Sequence, residues 1–251
     1  MPDLPETDRS AQDAALHTRC VRGLIAAVLQ GAPLPAPGLA DPEMGRAVRD
    51  QVLAQRLAAG ERRIGFRSAA ALAGILTDAM QFAAELVVPA GRLVAPRARP
   101  ALAFRLARAV TEEMDAADLP PTLGAVALAI DIGDSRFSGA PNAAERIADN
   151  AETGCFILGP WRAITERFAD RELLLEVRGP DMAVSSSAAL FSDPVEQAMA
   201  LLARCRADGE SLPEGTVLLI VGEAAPLPVG QGASLVLAAG EIGTLTGELS
   251  G

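Results

Sequence analysis

The first sixty residues carry apolar side chains at helical spacing. Apolar residues recur every four positions from Leu16 to Val28, and a Gly-Ala-Pro run follows, so the pattern predicts a helix over 9–30. After a proline-rich connector, Asp41 is placed to cap a second amphipathic helix over 43–59, because the proline that follows it would occupy the first helical position.

From residue 62 onward the pattern changes to short apolar runs separated by glycine, proline and aspartate, which is typical of β-strands. We predict strands over 85–88, 101–105, 125–132, 155–158, 173–177, 217–221 and 234–237. Longer amphipathic runs predict helices over 105–114, 143–150 and 194–207. The chain is therefore predicted to be α+β, with a helical N-terminal region over 1–61 and a mixed sheet domain over 62–251.

Composition adds expectations about partners. Half of the 251 residues are apolar but only 3% are aromatic, so alanine and leucine must fill most of the core. A chain of this size can bury a full core, and its alanine-rich, aromatic-poor composition predicts further apolar burial between subunits, that is, a homo-oligomer. The net charge of -10 disfavours nucleic acid, since phosphate groups would be repelled.

Several classes of protein are disfavoured. The cysteines Cys20, Cys155 and Cys205 form no CxxC pair, so neither a disulfide framework nor a zinc site is indicated. The single histidine, His17, lies in the first predicted helix, which argues against a Ser-His-Asp or Cys-His site. The acidic N-terminus has no apolar core, and no apolar run reaches the roughly 18 residues of a membrane span. We expect a cytoplasmic protein with no membrane partner.

Eight short segments carry a more specific signal. They are RIGFRS (63–68), GILTDAM (74–80), PRARPALAF (96–104), AIDIGDSRF (129–137), DNAETGCFILG (149–159), DPVEQA (193–198), GTVLL (215–219) and IGTL (242–245). In order and spacing they resemble the 2-keto-4-pentenoate hydratase family of the fumarylacetoacetate hydrolase superfamily. The resemblance implies a fumarylacetoacetate-hydrolase-like mixed β-roll and a hydratase-type lyase that acts on a small 2-oxo-enoic acid.

The same resemblance implies a magnesium or manganese ion held by three carboxylates. The matching positions are Arg99, Ala101 and Asp131, so only one acid remains and the metal site is degenerate. A guanidinium a few ångströms from a dication would be repelled by several kcal/mol even at an effective dielectric near 20. We therefore expect no metal cofactor here. Arg99→Glu with Ala101→Glu would again direct three acids at one point.

Two interpretations of Arg99 stay open. Its planar guanidinium could replace the metal as the group that binds the carboxylate of a 2-oxo acid, with Asp131 orienting it. Alternatively, the pocket has decayed and Arg99 points to solvent or pairs with a nearby acid.

Other candidate residues follow from the resemblance. Arg63 stands at the family's lysine position, where it could bind substrate but could not carry protons near neutral pH; it could equally be an exposed charge. Asp78 matches the family's acid and could hold Arg63 towards the ligand, or cap a loop. The family's serine position falls on Glu152, and the adjacent Thr153 could donate to a ligand oxygen.

Different functions remain open. In a metal-free lyase, the catalytic residues would be Asp78, Arg63 and Asp131, and the substrate-binding residues Arg99, Thr153 and Arg63. The alternative is a non-catalytic relative that serves as an assembly partner or small-acid binding module. Tautomerase or decarboxylase chemistry on a related oxo acid is a third possibility. The distinguishing feature is whether Arg63, Asp78, Arg99 and Asp131 converge on one enclosed pocket.

Overall fold

The structure is a computed structural model that describes residues 6–69, 72–111, 113–165, 168–180, 184–191 and 193–251. The α-helices in these ranges are α1 (Glu6–Gln30), α2 (Pro42–Ala58), α3 (Ala143–Ala148) and α4 (Pro194–Ala207). The strands in the first half are β1 (Leu34–Pro35), β2 (Arg63–Ala69), β3 (Leu72–Thr77), β4 (Gln81–Ala83), β5 (Val87–Val88), β6 (Pro96–Leu106) and β7 (Leu123–Asp134). The remaining strands are β8 (Phe137–Ser138), β9 (Thr153–Leu158), β10 (Arg171–Arg178), β11 (Ser185–Phe191), β12 (Val217–Val221), β13 (Leu227–Pro228), β14 (Ser234–Ala238) and β15 (Thr244–Leu249).

The two N-terminal helices form where the apolar spacing predicts them. Asp41 is the N-cap of α2, since its side chain accepts a hydrogen bond of 2.9 Å from the backbone N–H of Glu43, and Pro42 is the first helical residue. The two helices pack on each other and on α3 through a separate apolar cluster that includes Leu24, Val48 and Phe137. The division of the chain after residue 61 stays a prediction.

The main sheet has eight strands, in the order β3-β2-β12-β6-β7-β9-β4, with β13 paired to β6. The long antiparallel ladder between β6 and β7 sets Arg99 opposite Asp131 and Ala101 opposite Ala129. Both alanines are fully buried. This ladder therefore determines which of the candidate site residues share one face of the sheet.

The main sheet is strongly curled. Arg67 on β2 contacts Asp131 on β7, although β12 and β6 lie between these strands. In a flat sheet the three steps, each about 4.8 Å, would keep β2 and β7 well apart. The side chain of Asn150 also joins the turn before β9 to the edge strand β3, because it accepts from the N–H and donates to the C=O of Ile75, both at 2.8 Å. The sheet is thus a roll closed along one seam by a side chain.

A second sheet, in the order β11-β10-β14-β15-β5, packs against the first. Leu173, Leu175 and Val177 of β10 are buried, whereas the alternate residue Leu174 is exposed, as expected for a sheet with one solvated face. None of the helices in the described ranges has the length and apolar character needed to cross a membrane.

Most predicted elements are confirmed, including the α+β class and the mixed roll. The predicted helix over 105–114 is wrong, since Arg105 and Leu106 complete β6 and the backbone of Val110 bonds to Leu212 at 2.9 Å; residue 112 lies outside the described ranges. Pairing of Arg105 with strands on both sides outweighs the helical spacing. The strand predicted over 85–88 is shorter, because only β5 pairs, in parallel with β15.

Candidate functional site

A buried ion pair occupies the interior of the roll. Arg67 Nε lies 2.6 Å from Asp131 Oδ1 and Arg67 Nη2 lies 2.7 Å from Oδ2, and the two residues are 4% and 1% exposed. The third nitrogen, Nη1, donates to the carbonyl of Ala151 at 3.0 Å. Burial alone would lower the pKa of Arg67, but the attraction and hydrogen bonds of Asp131 outweigh it and raise that pKa. Both oxygens of Asp131 are therefore committed to one guanidinium.

The turn that receives Arg67 is strained. Asn150, Ala151 and Glu152 all have positive φ angles, 51°, 52° and 58°, in a segment without glycine. Consecutive left-handed residues of this kind persist only where the surroundings hold them. The Asn150 side chain is bonded to β3, its carbonyl accepts from Thr153 Oγ1 at 2.6 Å, and the Ala151 carbonyl accepts from Arg67. The turn is thus fixed and directs a carbonyl into the roll.

This arrangement gives Thr153 a partner other than the predicted ligand. Its side chain is buried, and its hydroxyl donates within its own turn. In the ladder between β7 and β9, Phe156 pairs with Asp131, and a register shift after Ile132 places Thr153 opposite Gly133. The role of Thr153 in this structure is to close the turn.

Arg99 is a second arginine beside Asp131. It is half-buried and lies opposite Asp131 in the ladder, but its Nε atom is buried and has no hydrogen-bond partner among the described residues. Burial lowers the pKa of Arg99, the Asp131 carboxylate partly offsets this, and the Arg67 guanidinium lowers it further. Leaving a buried donor unpaired costs roughly 1–3 kcal/mol. The site therefore favours an added acceptor or anion at Arg99.

The positions implied for a divalent cation do not fit one. Of Arg99, Ala101 and Asp131, the first is a cation, the second has no donor atom, and the third gives both oxygens to Arg67. A hard cation needs several free oxygen ligands. Across the described ranges, no cluster of three or more His, Cys, Asp or Glu side chains is arranged to hold a metal.

Arg63 and Asp78 are not held together as predicted. Asp78 accepts hydrogen bonds from the backbone N–H and the Nε of Arg62, both at 2.9 Å, and these bonds lower the pKa of Asp78. Arg63 Nη2 instead lies 2.6 Å from Glu210, and its guanidinium stacks over the Phe66 ring at 4.5 Å. These are partly exposed pairs, separate from the ion pair in the roll.

The structure thus brings together Arg99 and Asp131, adds Arg67, and places Arg63 and Asp78 in other ion pairs. Sequence reasoning missed Arg67. The available signal was an arginine inside an apolar strand, which must find a buried acid or reach solvent. A cavity of about 540 Å³ lies between the N-terminal helices and the sheet, and none of these five residues lines it.

The chain is similar in sequence to a known enzyme. No family model matches the chain. A 4-oxalocrotonate decarboxylase from a Pseudomonas species is 24% identical over 214 residues, which are 80% of this chain and 84% of that protein.

Solved structures extend the similarity over the whole fold. The 4-oxalocrotonate decarboxylase from Pseudomonas putida G7, complexed with calcium and acetate or with magnesium and adipate, superposes with a TM-score of 0.77 in both cases. The identities are 17% and 18%, and each alignment covers 99% of this chain and 100% of the other. The 2-hydroxyhepta-2,4-diene-1,7-dioate isomerase from Mycobacterium marinum gives a TM-score of 0.51 at 18% identity, covering 74% of this chain and 73% of that one. The predicted fold is therefore confirmed.

Proposed function

Since the chain has the fold of the fumarylacetoacetate hydrolase superfamily, we propose that it binds a small 2-oxo acid through Arg99, without a divalent cation. The observation that carries the proposal is the half-buried guanidinium of Arg99, whose Nε has no partner within the described ranges. A guanidinium matches the planar geometry of a carboxylate and can bind it through two hydrogen bonds. The related decarboxylase structures contain carboxylate ligands, acetate and adipate, which supports a ligand of this class.

The charges at the site support binding of an anion. Arg67, Arg99 and the nearby Arg146 contribute three positive charges, and Asp131 and Glu152 two negative charges, so this cluster carries a net single positive charge. The carboxylate of a 2-oxo acid would neutralise it. A dication would instead raise the positive charge beside two guanidiniums, and the Asp131 oxygens, which already accept from Arg67, would hold it directly beside that guanidinium.

Binding without hydration agrees best with the positions of the other candidate residues. Arg63 pairs with Glu210 and Asp78 pairs with Arg62, so neither is directed at Arg99. An arginine also cannot transfer protons near neutral pH. In the alternative, a hydratase-type lyase, the Arg99 guanidinium would stabilise the enolate that develops on a bound 2-oxo-enoate. Assay of hydration with 2-hydroxypenta-2,4-dienoate separates the two functions.

Calorimetry with 2-oxoadipate in the presence of EDTA tests the proposal. Wild-type protein should bind, and Arg99→Gln should weaken binding by about 1.5–3 kcal/mol, the scale of a hydrogen bond to a charged group. The matched control is Arg105→Gln, which removes the same charge from the same strand, where Arg105 stacks on Trp161. Binding that requires added magnesium, or equal losses in both variants, would overturn the proposal.

A further inference from the structure

The cavity between the N-terminal helices and the sheet lies apart from the Arg67–Asp131 ion pair. Its lining includes Cys155, which precedes Phe156 on β9, whereas Phe156 pairs with Asp131. Because successive strand residues point to opposite faces, the cavity and the ion pair lie on opposite faces of β9. The volume of about 540 Å³ falls within the usual range of small-ligand sites.

The wall of the cavity is predominantly apolar. Helix α1, helix α2 and the segment around β4 each contribute apolar side chains: Leu24, Ile25, Val28, Val52, Leu53 and Phe82. Val28 is 38% exposed and the neighbouring Leu29, which also lines the cavity, is 81% exposed. An exposed apolar patch that borders a cavity is typical of a binding site for an apolar group.

Charged side chains are distributed unevenly around this wall. The lining arginines are Arg49, Arg56, Arg92 and Arg136, and the lining acids are Glu61, Asp134 and Asp149. The lining therefore has a net charge of +1 on a chain whose net charge is -10. Since Asp50, just outside the lining, pairs with Arg49, the cavity is close to neutral and repels an anionic ligand less than the rest of the acidic chain does.

The four arginines are not equally available. Arg136 lies 2.6 Å from Asp149 and also donates to the carbonyls of Asp134 and Thr153. Arg56 lies 2.9 Å from Glu61, and Arg49 lies 2.8 Å from Asp50. The side chain of Arg92 is at the exposed rim and pairs with none of the residues that the structure describes. Arg92 is thus the guanidinium that a ligand could reach without breaking an existing ion pair.

From these observations we propose that the cavity binds an amphipathic monocarboxylate, such as a medium-chain fatty acid. Its alkyl tail lies between α1, α2 and the sheet, and its carboxylate lies at Arg92. Since a buried methylene contributes about 0.8 kcal/mol, affinity should rise about fourfold with each added methylene until the cavity is filled. This site is independent of the 2-oxo acid proposed to bind at Arg99.

Titration of the 251-residue chain with hexanoate, octanoate and 1-octanol, measured by calorimetry, tests the proposal. Octanoate should bind more tightly than hexanoate. Arg92→Gln should weaken octanoate several-fold and leave 1-octanol unchanged. The matched control Arg46→Gln removes an exposed charge from α2 outside the lining and should change neither. Val52→Trp, which fills the cavity, should abolish binding of both ligands, with circular dichroism to verify its fold.

Three measurements distinguish a fatty-acid site in this cavity from binding at Arg99 and from self-association of the chain. Arg99→Gln should leave octanoate binding intact, so failure of the 2-oxo acid proposal does not affect this one. Absence of octanoate binding at millimolar concentration, or equal effects of Arg92→Gln and Arg46→Gln, would overturn the proposal. A dimer in light scattering would also overturn the proposal if octanoate left it intact and Val52→Trp dissociated it. A second copy of the chain would then cover the cavity.

Discussion

The buried pair of Arg67 and Asp131 allows a sharp test of the energetics of the roll. Arg67→Met replaces the arginine with an apolar side chain of similar length. It leaves the Asp131 carboxylate, which is 1% exposed, without its bidentate partner. Removing one partner of a buried ion pair typically lowers the free energy of unfolding by about 3–5 kcal/mol. For a chain of this size, each kcal/mol shifts the melting temperature by about 2–4 °C, so a fall of roughly 6–20 °C is expected.

A double-mutant cycle completes this test. Asp131→Leu alone should destabilise to a similar extent, because it leaves a buried guanidinium unpaired, whereas Arg67→Met with Asp131→Leu should lie within about 1 kcal/mol of the wild type. Urea denaturation followed by the fluorescence of Trp161, the single tryptophan, measures all four proteins. The reasoning is refuted if Arg67→Met costs less than about 1 kcal/mol, or if the two single losses simply add in the double variant.

Other predictions concern metal binding, pH and assembly. Arg99→Glu with Ala101→Glu should not bind magnesium in calorimetry, because Arg67 still holds the third acid, whereas adding Arg67→Ala should create binding; magnesium binding by the double variant would contradict this. Burial raises the pKa of Asp149 from 3.8 to about 6 despite the nearby guanidinium. The folded state therefore retains a proton that the unfolded chain releases, so stability should fall as pH rises from about 4 to 6. Denaturation at several pH values should show a smaller fall in Asp149→Asn, and an unchanged slope would count against it. Light scattering should give a mass greater than one chain, and a monomer in dilute solution would exclude the expected homo-oligomer.

Local signals explain why the helices could be predicted from the sequence. A capping aspartate followed by proline marks the start of α2, and Asp193 in the same way accepts from the N–H of Glu196 at the start of α4. Such signals act within a few residues, so they can be recognised without knowledge of the tertiary structure. The positions of most strands could be predicted from the apolar runs. Residues 105–106 are in a strand because Arg105 pairs with Val217 and Ala125, and the local spacing of apolar residues carries no information about such long-range pairing.

The candidate site could be predicted only in part, because some of its contacts also depend on long-range pairing. The adjacency of Arg99 and Asp131 follows from one antiparallel ladder, which the resemblance implies. Arg67 is 64 positions from Asp131, and their contact depends on the curl of the sheet. Asp78 pairs with Arg62 where Arg63 was expected, a difference of one residue, because neighbouring residues of an extended chain point in opposite directions.

The two hydrogen bonds between the Asn150 side chain and Ile75 close the seam of the roll. Elsewhere the roll is joined by ladders of many backbone bonds, but the Asn150 amide links the turn to β3 by only two bonds, both to Ile75. Breaking these two bonds would separate the turn from β3 and leave the pairing of β2 with β3 intact, while Arg67 and Thr153 still hold the turn. Local opening follows the route with the fewest bonds. We therefore expect local opening of the roll to begin at this seam, and the residue that closes it belongs to the same turn that receives Arg67.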